Sequence, residues 1–211
     1  PACSMPQDSQ LTAHSSQLTA HSSQLTAHSS QLNTPSSLQG SYPAWHPSGR
    51  YVAFASTDTH QSFYHSSRDK IEVYDLGGRI FIYDVENNRQ LHYQQFADST
   101  LWHTFPAFSP DGRTRYYCRA RAVSMPHQTD SLHYDLLSVA FDPETGEVGK
   151  PTTLISASNN NFASTAGEGR GGVSVSFPRV SPDGRFLMYT VADCGTFPIW
   201  HPEADLRMLD L

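Results

Sequence analysis

A ten-residue motif occurs three times in this chain, at residues 41–50, 104–113 and 176–185. Each copy has an aromatic residue followed by proline and ends in Pro-Ser-Gly-Arg or Pro-Asp-Gly-Arg. Proline fixes the first φ of a tight turn and glycine supplies a positive φ, so each copy predicts a strand that ends in a hairpin turn. Such a repeat is typical of architectures in which one unit cannot bury its apolar face alone.

Further strands are predicted after each motif. The next residues are aromatic and aliphatic, as in strands that are buried on both faces, and they lie at 51–56, 114–119 and 186–191. Third strands that run into an acidic residue are predicted at 79–84, 134–141 and 205–210. Fourth strands are predicted at 89–95 and around 152–155, and the third copy reaches residue 211 before any fourth strand.

The motif Ser/Thr-aromatic-Pro-x-aromatic-Ser-Pro-Asp-Gly-Arg, followed by these strands, resembles the repeat of the TolB-type β-propeller family. Related blades occur in the propeller domains of prolyl-oligopeptidase-like enzymes. The resemblance covers residues 41–211 and implies an all-β fold, a β-propeller of four-stranded antiparallel blades. Because TolB-type propellers typically have six blades, we expect about three of six here, with the others downstream. Self-pairing of two half-propellers is the alternative if the chain is complete.

The spacing of the copies predicts long insertions. They begin 63 and 72 residues apart, whereas a four-stranded blade needs only about 40–45 residues. We expect the surplus to form loops at residues 57–78, 120–133 and 159–175, with a shorter one at 192–204.

The first 40 residues differ in texture from the rest. Residues 10–30 are three identical copies of Gln-Leu-Thr-Ala-His-Ser-Ser without a charged residue, which predicts a low-complexity, disordered tail at 1–40 before a partial propeller at 41–211. We interpret His14, His21 and His28 as products of the repeat that could bind a metal loosely. The start Ala2-Cys3 before a polar stretch resembles the end of a bacterial lipoprotein signal. It predicts lipidation of Cys3, a membrane tether and a periplasmic or outer-membrane location, the alternative being an ordinary tail cysteine.

The net charge and the cysteines bear on two classes of function, nucleic-acid binding and cysteine-based metal binding. A net charge of −6 leaves no basic surface to attract nucleic acid, so we expect no nucleic-acid partner. Cys118 and Cys194 have no metal-knuckle spacing. They predict either one disulfide or, as the favoured interpretation, two buried thiols.

Three polar clusters lie in the predicted loops or beside them, where propellers carry their sites. They are His60, His65 and Asp69; Asp130, His133 and Asp135; and His201, Glu203 and Asp205. None has a recognised ligand spacing on a defined element, so solvated or turn-capping roles are favoured. The sequence therefore predicts no metal site and no cofactor. Metal or small-ligand binding by the loop histidines would require these groups to converge on one point.

The sequence contains no Gly-x-Ser-x-Gly motif, which a serine hydrolase would carry at its nucleophile. The glycine-rich stretch at 167–172 lacks the Lys-Ser/Thr of a phosphate loop and is interpreted as a flexible loop. Trp102 with His103 and Trp200 with His201 are predicted contacts for a protein partner, since exposed Trp is a typical anchor, or are packed under loops. We expect a non-catalytic, protein-binding scaffold of the bacterial envelope. The alternative is the propeller domain of a prolyl-oligopeptidase-like hydrolase without its catalytic domain.

Overall fold

A computed structural model of the chain describes residues 39–57, 62–65, 71–124, 131–158, 172–198, 201 and 204–211. The side chains of residues 39, 62–65 and 71–74 are not described. The predicted tail lies outside these residues up to position 38, together with its repeats and Cys3, and the first strand begins at Gln39.

The described residues form thirteen strands and one short 3₁₀ helix at Gln94–Phe96. In chain order the strands are β1 (Gln39–Trp45), β2 (Tyr51–Thr57), β3 (Ser62–His65), β4 (Ile71–Tyr74), β5 (Arg79–Asp84), β6 (Arg89–Leu91), β7 (Leu101–Phe108), β8 (Thr114–Arg121), β9 (Tyr134–Ala140), β10 (Thr152–Ile155), β11 (Ser174–Val180), β12 (Phe186–Ala192) and β13 (Asp205–Asp210).

Three antiparallel sheets contain the three motif copies. Blade 1 has the strand order β1-β2-β5-β6, blade 2 has β7-β8-β9-β10, and blade 3 has β11-β12-β13. The prediction of two four-stranded blades and most of a third is confirmed. The chain therefore has an all-β fold built of β-propeller blades.

Two predicted segments differ from the structure. The insertion after β2 was expected to be a loop, but β3 and β4 pair within it as a separate two-stranded sheet. The predicted strand at 89–95 ends early, at Leu91, and the 3₁₀ helix follows. Phe96 leaves the sheet there and packs against Tyr117 of blade 2, with 5.5 Å between the ring centroids. The residue types favoured a longer strand. The structure instead buries Phe96 against blade 2.

A serine closes the turn of the second and third motifs. The Ser109 hydroxyl accepts the N–H of Thr114 at 2.9 Å and donates to the Asp111 carboxylate at 2.5 Å. Ser181 makes the same two bonds in blade 3. The hydrogen bond from Ser109 lowers the pKa of Asp111, because it stabilises the charged carboxylate. The Pro-Asp-Gly sequence therefore fixes the turn.

Blade 1 has different residues at these two positions. His46 replaces the serine equivalent to Ser109, and Ser48 replaces the aspartate equivalent to Asp111. The His46 Nδ1 accepts from the Ser48 hydroxyl at 2.8 Å, and its Nε2 donates to the Gly112 carbonyl at 3.0 Å. His46 is buried and therefore connects the turns of two neighbouring blades.

An aromatic residue of each motif lies in the left-handed region of the backbone. Tyr42, Phe105 and Phe177 have φ values of 53°, 53° and 52°. Each precedes the motif proline and lies in a β-bulge, where the register with the next strand shifts. A non-glycine residue with positive φ costs about 1–2 kcal/mol. The surrounding packing must therefore offset this cost three times.

The bulges bring the three rings together. The Phe105 centroid lies 4.7 Å from that of Tyr42 and 4.2 Å from that of Phe177. Phe197 packs 6.0–6.1 Å from all three. Strand β7 contacts both β1 and β11, so the three first strands form the shared centre of the blades.

Alternate residues of β8, the second strand of blade 2, face the two neighbouring blades. In β8, Tyr117 packs with Ile80 of blade 1, whereas Tyr116 and Cys118 pack in the core cluster that contains Leu187 of blade 3. The period of two along a strand thus assigns one set of side chains to the preceding blade and the other to the following blade.

Arg115 breaks this apolar pattern. It is fully buried and occupies the position that Val52 and Leu187 fill in the other motifs. Its guanidinium carbon lies 4.5 Å from the Phe96 centroid and 5.5 Å from that of Tyr117. None of its three guanidinium nitrogens has a hydrogen-bond partner among the described residues. Burial lowers the pKa of Arg115 to about 10, so a charged group is held there mainly by aromatic faces.

No disulfide joins Cys118 and Cys194; both are thiols, 0% and 2% exposed. Burial raises the pKa of the Cys118 thiol, which makes it unreactive. Among the described residues, no helix is both long enough and apolar enough to cross a membrane.

Gly112→Ala should destabilise the protein far more than Gly49→Ala, the equivalent change in blade 1. Both glycines have positive φ, 72° and 76°, but a Cβ on Gly112 would lie 2.2 Å from the His46 Nε2, whereas nothing lies within 4 Å of one on Gly49. We expect losses in the free energy of unfolding of about 3 kcal/mol for Gly112→Ala and about 1 kcal/mol for Gly49→Ala. Urea unfolding measures both, and equal losses would contradict the contact between the turns.

Arg115→Leu should stabilise the protein, because it replaces a buried charge that lacks hydrogen bonds with the residue type of blade 3 at this position. We expect a gain in the free energy of unfolding of about 1–3 kcal/mol, with no loss of cooperativity. The control is Arg113→Leu at the exposed neighbouring turn, where a change within about 0.5 kcal/mol is expected. Lower stability of Arg115→Leu in urea unfolding would show that the guanidinium has a partner.

Candidate functional site

The first pair of predicted partner contacts is buried. Trp102 and His103 are the second and third residues of β7 and are 8% and 1% exposed. Burial, with Arg119 and Arg115 nearby, lowers the pKa of His103 to about 4, so it is neutral at pH 7. Of the two roles expected for this pair, partner contact or packing, the burial favours packing, because β7 is the innermost strand of blade 2 and is covered by blades 1 and 3.

The first loop cluster falls mostly outside the described residues. His60 and Asp69 are not described, and His65 is placed in β3 without its side chain. In the second cluster, Asp130 is likewise not described.

His133 and Asp135, the other members of the second cluster, line one polar cleft of about 480 Å³ at the end of blade 2. Asp135 accepts the N–H of Ala157 at 2.8 Å and forms an ion pair with Arg119 at 3.6 Å. Burial lowers the pKa of His133, and Asp193 partly opposes this shift. Asp135 therefore helps to fix the local backbone, as favoured for these clusters.

The third cluster is regrouped by the fold. Asp205 forms an ion pair with Arg207 at 3.1 Å, and Trp200 and Glu203 lie outside the described residues. His201 is 5% exposed, and its Nδ1 donates to the Asp193 carboxylate at 2.8 Å. The burial of His201 favours packing over partner contact, because the β12–β13 connection turns its ring inward.

Asp193, Cys194 and His201 form a buried group of three metal-ligating side chains. One donor atom from each lies within 4.8 Å of the others. Asp193 and Cys194 directly follow β12, and His201 lies shortly before β13. Sequence reasoning missed this group because it treated Cys194 as a packing residue. The sequence signal available was Asp-Cys followed by His seven residues after the cysteine, within one short insertion.

Backbone and hydroxyl hydrogen bonds position this connection. The Gly195 N–H donates to the Leu132 carbonyl of the β8–β9 connection at 2.8 Å, and the Ser174 hydroxyl of β11 donates to the Gly195 carbonyl at 2.6 Å. The connection is thus held against blades 2 and 3, and its polar side chains are held in fixed positions.

The outward face of blade 3 is apolar and exposed. Met188, Leu206 and Met208 are 44%, 69% and 61% exposed, and Met188 pairs directly with Met208 across β12 and β13. By strand register Leu206 and Met208 are equivalent to Ile80 and Ile82 of blade 1, which are 3% and 0% exposed. Blade 3 therefore exposes the face that blade 1 buries against its neighbour.

No protein-family model matches this sequence, and no curated protein matches it. Solved structures do resemble it. A TolB structure from Agrobacterium tumefaciens is 16% identical, with a TM-score of 0.48 over 84% of this chain and 47% of that one. For TolB from Acinetobacter baumannii the values are 12%, 0.35, 82% and 41%.

A puromycin hydrolase S511A mutant complexed with PGG is 15% identical, with a TM-score of 0.43 over 73% of this chain and 20% of that one. The chain thus spans about half the length, or less, of these three structures. By its own repeated motif and the antiparallel sheets that the motif forms, the chain is a set of β-propeller blades.

Proposed function

We propose that this chain is a non-catalytic scaffold of the bacterial cell envelope that binds another protein through its propeller blades. The observation that carries the proposal is the cleft of about 480 Å³ at the end of blade 2, which Arg119, His133 and Asp135 line. Clefts between the loops of a rigid scaffold are common binding sites.

The roles of the nucleophilic and basic side chains support a scaffold. Ser109 and Ser181 bind their own turns, and His46 ties two turns together. Cys118 and His103 lie in the core with pKa values shifted by burial toward their neutral forms. These groups serve the fold, which favours binding over covalent catalysis.

The proposed location is outside the cytoplasm, with the chain tethered by lipid on Cys3. The start Ala2-Cys3 and the polar stretch after it support this. Radioactive palmitate should label the chain in its source cells, and Cys3→Ser should abolish the label and move the chain from the membrane to the soluble fraction. A membrane-bound Cys3→Ser chain would contradict the tether.

A photo-crosslinking residue at position 131 should capture a protein in the source cells, because this exposed position lines the cleft of blade 2. The same residue at exposed position 113, in the blade 2 turn, is the control and should capture much less. Mass spectrometry of the adduct would identify either a different protein or a second copy of this chain.

Equal capture at positions 131 and 113, or none at either, would contradict binding through the cleft of blade 2. A fluorophosphonate probe for serine hydrolases should not label the chain. Labelling would contradict the non-catalytic role and favour a hydrolase.

A further inference from the structure

Three buried side chains that can bind a metal ion lie in the connection between β12 and β13. Asp193, Cys194 and His201 are 9%, 2% and 5% exposed. The Nδ1 of His201 donates to the Asp193 carboxylate at 2.8 Å, so two of the three groups are already in contact. A cation placed among the three groups would compensate both the carboxylate and a thiolate.

We propose that Asp193, Cys194 and His201 form a zinc-binding site at the end of blade 3. Thiolate, imidazole and carboxylate are the three side-chain groups that bind zinc in proteins. Their mixture disfavours calcium and magnesium, which take oxygen ligands.

The spacing of the donor atoms fits a site that contracts on binding. Zinc–ligand distances of about 2.0–2.3 Å place tetrahedral donors about 3.3–3.8 Å apart. The three donor atoms already lie within 4.8 Å of one another. Small side-chain rotations therefore bring them to zinc distances, and the Asp193–His201 hydrogen bond is exchanged for two metal bonds. Three protein ligands leave a fourth position for water.

Hydrogen bonds beside the site connect it to blades 2 and 3. Gly195, next to Cys194, is bound to the Leu132 carbonyl and to the Ser174 hydroxyl. Zinc would fasten the connection to the end of β12, where it covers blades 2 and 3. Metal binding is therefore coupled to the stability of this end of the blades.

The test is cobalt binding by the full chain, because Co²⁺ reports a thiolate ligand by an ultraviolet charge-transfer band. His14, His21 and His28 are first replaced with alanine to remove loose binding by the tail. In this background we expect one tightly bound Co²⁺ with a thiolate band, displaced by Zn²⁺. Cys118→Ser, at the other buried thiol, is the matched control and should keep the band.

Cys194→Ser should abolish the band and, like His201→Gln, weaken zinc affinity by about 100-fold or more. Zinc should also raise the Tm of the tail variant and have little effect on the Tm of His201→Gln, which supplies a readout if Cys194→Ser folds poorly. The proposal is overturned if the tail variant shows no thiolate band, or if the band survives Cys194→Ser. Loss of the band in Cys118→Ser alone would overturn it equally, because the ligand would then be the wrong thiol.

Discussion

The packing of three aromatic rings at the centre of the blades holds the architecture together. Tyr42, Phe105 and Phe177 come from sequence positions far apart, yet each takes the same left-handed backbone conformation at the same point of its motif. The bulge that follows turns each ring out of its sheet and toward the others. Burial of these rings and their contacts with Phe197 offset a backbone cost of about 1–2 kcal/mol at each position.

The two-residue period of the strands then distributes all other side chains between neighbouring blades. It explains why Tyr116 packs toward blade 3 and Tyr117 toward blade 1. It also places Met208 on the face that, in blade 1, is buried against blade 2. Arg115 falls on a face that must be apolar, so its charge lies against the ring of Phe96. The positions of Met208 and of the buried Arg115 charge thus both follow from the alternation of side chains along a strand.

The motif residues made most of the fold predictable, because turn chemistry is local. Pro-Asp-Gly marks where one strand ends and the next begins, and the positions of β2, β8 and β12 follow from it. The β3–β4 hairpin was missed because it lies between polar residues and lacks such a turn signal. The sequence left the burial of Trp102 undecided, since it depends on two neighbouring blades that no local pattern describes.

The grouping of Asp193, Cys194 and His201 was not predicted, because it too depends on contacts between residues far apart in the sequence. Their approach depends on the path of the β12–β13 connection and on its hydrogen bond to Leu132, which is far away in sequence. Sequence patterns with a fixed ligand spacing on one helix could not reveal it. Likewise, the bulge geometry of Tyr42 could not be read from an aromatic residue before proline, although its threefold repetition indicated a shared role.

The most direct test of this account is a nuclear Overhauser measurement on the full chain with selectively labelled Phe and Tyr rings. Contacts are expected from the Phe105 ring to both Tyr42 and Phe177, whose centroids lie 4.7 and 4.2 Å away. Observation of both contacts would establish that the three motifs meet at a shared centre. Well-resolved ring signals without either contact would contradict the arrangement of blades on which the rest depends.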